Sequence, residues 1–401
     1  MNKMTVRDIE VAGKRVLVRV DFNVPVDART GAITDDSRIK AALPTIRYLI
    51  ERNARIILIS HLGSPKGKFV NELRLTPVAQ RLSQILGQQV GVAVDCIGSE
   101  VEKSVETLQA GDVLLLENLR FHSDEETGSA DFARALARLG DIFVNDAFGT
   151  SHRAHASITG IVRYLPAVAG LLLEKEIDTL GGLLKNPDHP FVSLFGGAKV
   201  SDKVSMLKNI MSKVDCLLIG GGMAATFLKA KSYEVGTSLV EVESLGIAIE
   251  LIKQTEKSGV KLMLPVDVMV ADEIDSSAVG KVVPVDAVPR DKKIVDIGPK
   301  TVAAFRKELE KSRTVFWNGP MGVEEIPQFA RGTQTLARLL PGLKAKTIVG
   351  GGSTAEVIDA LGLSDKVTFV STGGGASLKF LGGEELPGVV ALLDKAPGKK
   401  K

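Results

Sequence analysis

A chain of 401 residues is longer than one hydrophobic core ordinarily serves, so length alone favours two domains of roughly 150 to 200 residues each. A composition of 44% hydrophobic and 25% charged residues argues against disorder or a fibre. With 51 basic against 48 acidic side chains, a formal charge of +3, the chain lacks the net field of a nucleic-acid or membrane binder. Any anion site must therefore come from local clustering. Cys96 and Cys216 are too few for a disulfide framework and lie in no CxxC pair, which suits a reducing cytoplasm. Charged Arg7, Asp8, Glu10, Lys14 and Arg15 interrupt the N-terminal segment, unlike a secretory signal. The richest apolar stretch, Cys216 to Leu228, is broken by Gly220, Gly221 and Gly222 and is too short for a bilayer.

Short runs rich in Val, Ile and Leu recur along the chain, each followed by a turn and a longer amphipathic stretch, the pattern of βαβ units in a parallel sheet. In chain order, strands are predicted at Arg15 to Val20, Arg55 to Ser60, Val113 to Leu116 and Ile142 to Asn145. A second group follows at Phe191 to Phe195, Cys216 to Ile219, Lys261 to Leu264, Thr314 to Trp317, Thr347 to Val349 and Val367 to Val370. Between the groups, Gly170 to Leu184 places Leu171, Leu172, Ile177, Leu180 and Leu184 along one side of a helix, the candidate connector between domains. Gly/Asn/Pro/Asp punctuation at 186–190 ends it. The basic tail, residues 395–401, reads as a solvated terminus.

Many glycines fall where a strand ends and a helix should begin. Gly196-Gly197, Gly220-Gly221-Gly222, Gly350-Gly351-Gly352 and Gly373-Gly374-Gly375 each follow a strand of the second group. Any one of them is satisfied by the role of a tight turn. Four at the carboxyl edge of one sheet, where helix N-termini offer free N–H groups, point to a polyphosphate site. Gly220-x-Gly222-x-x-Ala225 and Gly350-x-Gly352-x-x-Ala355 also fit a dinucleotide fingerprint, with Glu241 and Glu243 near the distance of a ribose-binding acid, so a nicotinamide-dependent oxidoreductase is an alternative. Against it, the fingerprint belongs on the first strand of its domain and should occur once. The segment Gly63 to Phe69 is not a Walker A loop: it has one residue too few between its glycines and no Ser or Thr after the lysine.

The first half offers cations instead. Asp21-Phe22-Asn23 closes the first strand, Arg38 opens the following helix, His61 follows the second strand, Arg120 the third, and His152-Arg153 the fourth. A lone arginine usually makes a surface ion pair. Together these residues converge on one sheet edge, where arginine forks bind phosphate and carboxylate oxygens, so the expected ligand is a small anion. The histidines lack the spacing of a zinc site.

The motifs as a set resemble those of the phosphoglycerate kinase family over nearly the whole chain. They are Arg19-Val-Asp-Phe-Asn-Val-Pro25, Ser60-His-Leu-Gly63, Glu117-Asn-Leu-Arg-Phe-His122, Val144 to His155, Gly196-Gly-Ala-Lys199 with Ser-Asp-Lys203, Trp317-Asn-Gly-Pro320 and Ser371 to Leu378. The resemblance implies two Rossmann-like α/β domains with parallel sheets, joined by a connector helix across an open cleft that closes by hinge bending. Residues 1–169, with a C-terminal return at about 388–401, would hold 3-phosphoglycerate, and residues 170–387 the nucleotide. It further implies phosphoryl transfer between ATP and 3-phosphoglycerate, giving 1,3-bisphosphoglycerate and ADP with magnesium, by a cytoplasmic monomer. Carried over by motif, Asp21 and Asn23 would bind the glycerate, Arg38 its reacting carboxylate, and His61, Arg120 and Arg153 its distant phosphate. Gly197, Lys199, Lys203, Gly298, Asn318, Glu325, Gly351, Gly352, Ser353 and Thr354 would face the nucleotide. Gly373 and Gly374, with Arg38 and Lys203, would surround the transferring group.

Three positions depart from the family pattern. Ser64 stands where an arginine is usual, leaving Lys66 or Lys68 to supply the charge; Ser353 stands where aspartate is common, leaving Ser353 or Asp202 as the protein ligand to magnesium; and Glu324 replaces an apolar residue. Ser64 and Ser353 also keep open a non-catalytic phosphate-binding relative of the kinase.

Overall fold

The computed structural model describes residues 1–27 and 29–396; the last part of the expected tail and return, 397–401, lies outside the described residues. Two compact units are present: Met1–Asp178 together with the chain from Glu385 on, and Thr179–Glu384. The division falls inside the helix Leu171–Lys185, one residue offset from the predicted Gly170–Leu184. Its buried face is made by Leu172, Leu173, Ile177, Leu180 and Leu183, while Leu171 and Leu184 are half-buried. The Asp146 carboxylate caps its start, accepting from Leu172 N at 2.9 Å and Leu173 N at 3.2 Å.

The first unit carries β1 (Arg15–Arg19), β2 (Arg55–Ile59), β3 (Val90–Val92), β4 (Val113–Leu115), β5 (Ile142–Asn145) and β6 (Ala167–Ala169), all parallel, in the order β3-β4-β2-β1-β5-β6. Val16, Val18, Ile56, Leu58 and Val144 pack one face against Ile39, Ile46 and Leu49 of the helix Ser37–Glu51. Leu17, Ile57, Leu114 and Phe143, at alternate positions, are buried on the other. A sheet covered on both faces needs near-continuous apolar strands, and so these runs stand out in the sequence. β3 and β6 escaped prediction because three residues on a sheet edge carry no readable period.

The C-terminal return packs on this unit. Met4 N donates to Leu393 O at 2.8 Å, Gly388 N to Ser151 O at 2.8 Å, and Asn145 Nδ2 to Gly388 O at 3.0 Å.

The second unit contains β7 (Phe191–Phe195), β8 (Cys216–Ile219), β9 (Lys261–Met263), β10 (Asp267–Ala271), β11 (Lys281–Pro284), β12 (Lys293–Ile297), β13 (Thr314–Asn318), β14 (Lys346–Gly350) and β15 (Phe369–Val370). Six form a parallel sheet, β15-β14-β13-β7-β8-β9, the strand order of a dinucleotide-binding fold. The other three make an antiparallel sheet, β11-β10-β12, inserted between β9 and β13 and closing its own small core around Val268, Val270, Val283 and Val285. These strands were not predicted, since β11 is mostly exposed and none lies in a βαβ unit of the main sheet.

In each unit chain order reverses beside the first strand, at β1/β5 and at β7/β13. Ligands of open α/β sheets bind outside the carboxyl ends of strands at such reversals. Among the described residues no helix is long and apolar enough to cross a membrane.

Candidate active site

At the β1/β5 reversal, the strand Arg15–Arg19 ends in a guanidinium that is only 1% exposed. Arg19 Nε donates to Ser157 Oγ at 3.0 Å, Nη1 to Val20 O, and Nη2 to His61 Nδ1 at 3.1 Å. A guanidinium has no acceptor, so His61 Nδ1 must be the lone-pair nitrogen and Nε2 must carry the proton. Burial, then the charges of Arg19, Arg120 and Arg38, hold the His61 pKa well below the ordinary histidine value. His61 is therefore a neutral hydrogen-bond donor among cations.

Arg120, 6% exposed, donates from Nη1 to Gly63 O at 2.8 Å and pairs through Nε with Glu126 at 3.2 Å. Asn118, in the turn just before it, accepts from Leu62 N and Arg120 N, tying this turn to the loop after β2. Asn23 Oδ1 accepts from Gly63 N at 2.8 Å. Gly63 has φ of +63°, and a side chain there would meet Leu73 at 2.8 Å. Arg38 Nη1 donates to Asp21 Oδ2. Arg153 is exposed, and its charge reaches Arg120, helping to depress the pKa that burial already lowers.

The structure thus brings Asp21, Asn23, Arg38, His61, Arg120 and Arg153 into one cluster. Sequence reasoning missed its foundation: Arg19, Ser157 and Glu125. Glu125 is fully buried and accepts from Ser157 N at 2.9 Å and Ser157 Oγ at 2.6 Å. Burial opposes its charge, but His155, Arg19 and Ser157 outweigh that and lower its pKa, so it remains ionised. The available signal was an arginine ending an otherwise apolar strand. Four arginines, Arg19, Arg38, Arg120 and Arg153, face the carboxylates of Asp21, Glu125 and Glu126, which leaves a positive excess for an anion. The loop bearing Ser64, Lys66 and Lys68 folds beside this cluster, with Gly67 N donating to Arg120 O at 3.1 Å. All three side chains are exposed, and no ion pair engages either lysine among the described residues.

At the β7/β13 reversal, backbone approaches backbone. A Cβ on Gly196 would lie 2.0 Å from Pro320 O, and one on Gly221 would lie 2.6 Å from Gly197 N. Lys203 Nζ reaches to 3.3 Å from where a Gly197 side chain would begin. No carboxylate pairs with this ammonium among the described residues; burial lowers its pKa, and neighbouring Asp202 offsets part of that. Asn318, fully inside at the end of β13, leaves Nδ2 without an acceptor, aimed at the Gly350-Gly351 turn. That turn opens the helix Gly352–Ala360, which has no side-chain cap; Gly352 and Ser353 are exposed at its start. The Thr354 hydroxyl is committed, accepting from Gly319 N at 2.7 Å.

Other candidates are placed less directly. Lys199 and Asp202 are exposed, and so is Glu325, while Glu324 is half-buried. Gly298 precedes the helix Pro299–Leu309, whose N–H groups at Lys300 and Thr301 already bind the Asp267 carboxylate. Gly373 N donates to Ser371 Oγ at 3.2 Å, and Gly374 has φ of +48° with open space before it. Asp202 belongs to no cluster of three or more His, Cys, Asp or Glu ligands among the described residues, and Ser353 is exposed at the start of its helix.

The dinucleotide fingerprints do not stand where a nicotinamide site needs them. Gly220–Gly222 follow the second strand of the sheet and Gly350–Gly352 the fifth, whereas the turn after the first strand reads Gly196-Gly197-Ala198-Lys199. Glu241, one of the two candidate ribose acids, instead accepts from Val200 N and from Ser201 N and Oγ, capping the turn that carries Lys203, while Glu243 is exposed. The oxidoreductase alternative thus loses the placement of its fingerprints and one of its two acids, and nothing supports it.

Two doubly wound units, one with a cationic cluster at its switch point and the other with an unpaired lysine and an uncapped helix N-terminus, have the layout of an α/β phosphotransferase. The family model described as phosphoglycerate kinase matches residues 6–384. Phosphoglycerate kinases of Moorella thermoacetica and Pelotomaculum thermopropionicum are 55% and 54% identical over 395 residues, 98% of this chain and 100% of each relative. The solved phosphoglycerate kinase of Coxiella burnetii is 42% identical with a TM-score of 0.85, and that of Pyrococcus horikoshii 33% identical with a TM-score of 0.86; each comparison covers 97% of this chain and 98% of the other. The chain belongs to the phosphoglycerate kinase family.

Proposed function

We propose that this chain catalyses reversible phosphoryl transfer between ATP and the carboxylate of 3-phospho-D-glycerate, giving ADP and 1,3-bisphosphoglycerate, as a glycolytic or gluconeogenic step. Besides family membership, the observation that carries the reading is the buried Arg19–His61–Arg120 arrangement with its positive excess at the first unit's switch point. His61 offers a neutral Nε2–H and Arg120 its remaining N–H groups to the phosphate of the glycerate, with Arg153 at the rim. Asp21 and Asn23 take the glycerate, and Arg38, one of whose five donors is used by Asp21, turns its others to the reacting carboxylate.

In the second unit, the free ammonium of Lys203, the orphaned Asn318 Nδ2 and the uncapped start of the helix Gly352–Ala360 suit the phosphates of a nucleotide. Gly197 and Gly351–Thr354 contribute backbone, Gly373 and Gly374 lie beside the transferring group, Lys199 faces the phosphates, and Gly298 and Glu325 belong to the adenosine end. Magnesium, carried with the nucleotide, neutralises charge on its phosphate oxygens. Asp202 or Ser353 would supply its protein ligand; only Asp202 brings a carboxylate.

A carboxylate acceptor is ionised at neutral pH, so no general base is needed. What remains is alignment, charge neutralisation and exclusion of water. With the glycerate residues in one unit and the nucleotide residues in the other, transfer requires a closed conformation that forms when both ligands are bound. The enzyme is proposed to act as a cytoplasmic monomer without nucleic acid.

The test is acyl-phosphate formation from 3-phosphoglycerate and ATP, trapped with hydroxylamine, with magnesium present or chelated. Magnesium-dependent product is expected. Folded, ATP-binding protein that makes none would refute catalysis and identify a phosphate-binding relative in which Ser64 and Ser353 mark the loss.

A further inference from the structure

One group of metal-ligating side chains has no part in that reading. Asp95 follows the edge strand β3, Cys96 succeeds it, and His122 arrives from the turn Leu119–Phe121. One ligand atom from each lies within 4.8 Å of the others. Asp95 Oδ1 accepts from Cys96 N at 2.6 Å and meets His122 Nε2 at 2.7 Å. The His122 ring stacks near Phe132, with centroids 5.3 Å apart. Cys96 is wholly buried, while 29% of the His122 side chain and 43% of that of Asp95 are exposed. The trio has a closed sulfur side and an open face to solvent.

We propose that Asp95, Cys96 and His122 form a binding site for a borderline-soft divalent cation of the zinc class. Sulfur, imidazole nitrogen and one carboxylate oxygen select zinc or cobalt over magnesium or calcium, which take oxygen. Metal–ligand distances of about 2.0 to 2.3 Å in a tetrahedron place ligand atoms roughly 3.3 to 3.6 Å apart. With all three atoms within 4.8 Å of one another, no pair need draw in by more than about 1.5 Å, and the Asp95–His122 pair, at 2.7 Å, must open by about 0.6 Å. Water would fill the fourth position.

The surrounding charge favours a cation. The Asp95 carboxylate, 43% exposed, brings negative charge to the open face at 2.7 Å from His122 Nε2. Binding releases the Cys96 Sγ proton and the proton on His122 Nε2 to solvent; the ring retains or regains one on Nδ1, and the metal bonds to Sγ, Nε2 and Oδ1. Nothing is oxidised.

The experiment uses the reduced, chelator-stripped full chain without nucleotide, titrated with Co²⁺ and then with Zn²⁺. One equivalent of cobalt should give sulfur-to-cobalt charge-transfer absorption and the visible bands of a four-coordinate ion, both displaced by zinc. Cys216→Ser should keep the signal and Cys96→Ser abolish it. Because Cys96 is buried and its variant can fold poorly, His122→Gln and Asp95→Asn, at half-buried positions, provide the second reading. Each should weaken zinc binding at least about tenfold, since loss of a ligand costs no less than loss of an outer-shell partner, about 10- to 100-fold. Absence of the charge-transfer band, its survival in Cys96→Ser, or unchanged zinc affinity in His122→Gln and Asp95→Asn overturns the proposal and leaves the trio as a tether between two loops.

Discussion

Replacing Lys203 with methionine should move stability and turnover in opposite directions. Methionine keeps most of the side-chain stem and removes the charge. In the folded chain the ammonium is half-buried, unpaired with any described carboxylate, and has a pKa lowered by burial. The folded state therefore binds this proton less tightly than the unfolded state, so the charge opposes folding at every pH below about 10, where the unfolded lysine is protonated. With partial solvent access and the attraction of Asp202 discounted, Lys203→Met should gain on the order of 1 kcal/mol at neutral pH, about 2 to 4 °C in the melting midpoint of a unit this size. Turnover should meanwhile fall about 10²- to 10³-fold, the usual loss when one preorganised donor to developing charge is removed. Thermal unfolding without ligands and the hydroxylamine assay give the two readings. A destabilisation of more than about 1 kcal/mol would mean that the ammonium has a native partner, and a turnover loss below about tenfold would remove it from the transition state.

Arg38→Ala should lower turnover by at least about 10²-fold while leaving ATP affinity within about twofold, because Arg38 lies with the glycerate residues; steady-state kinetics with nucleotide titration checks this, and normal turnover would sink its role. His61 should remain neutral below the ordinary histidine value of about 6.5. Its depressed pKa means that its contribution to stability is complete above about pH 6.5 and is lost as pH falls below it; a ring titrating normally by nitrogen NMR would contradict the Arg19 contact. Asp296 is 2% exposed, accepts from Gly332 N at 2.7 Å and Ile297 N at 2.8 Å, and has its pKa raised by burial to about 7. Here the folded state holds a proton that the unfolded state releases, so Asp296 withdraws stability as pH rises from about 4 to about 7. Urea unfolding of Asp296→Asn against the parent should show that slope removed, and parallel pH profiles would refute it.

The sequence by itself determined what local chemistry can write. β5, β7 and β8 have the predicted limits, and the other parallel strands except β3 and β6 differ by a residue or two, because sheets buried on both faces require continuous apolar runs. Asp21, His61 and Arg120 were legible because they end strands or occupy the following turns, and the order of elements puts those ends on one edge. Arg19 was visible as a residue, but its partners Ser157 and His61 are 138 and 42 positions away, and no local pattern encodes such a distance. Pairing also decided the fate of the glycines: Gly220 makes room for the Met321 side chain and Gly221 and Gly222 for neighbouring backbone, while the helix Gly352–Ala360 starts without a side-chain cap. It likewise took Glu241 from a ribose to a helix cap. Residue type and spacing fix which groups can bind an anion; only the tertiary structure fixes which are already satisfied by the protein, since that depends on contacts made between segments far apart in the chain.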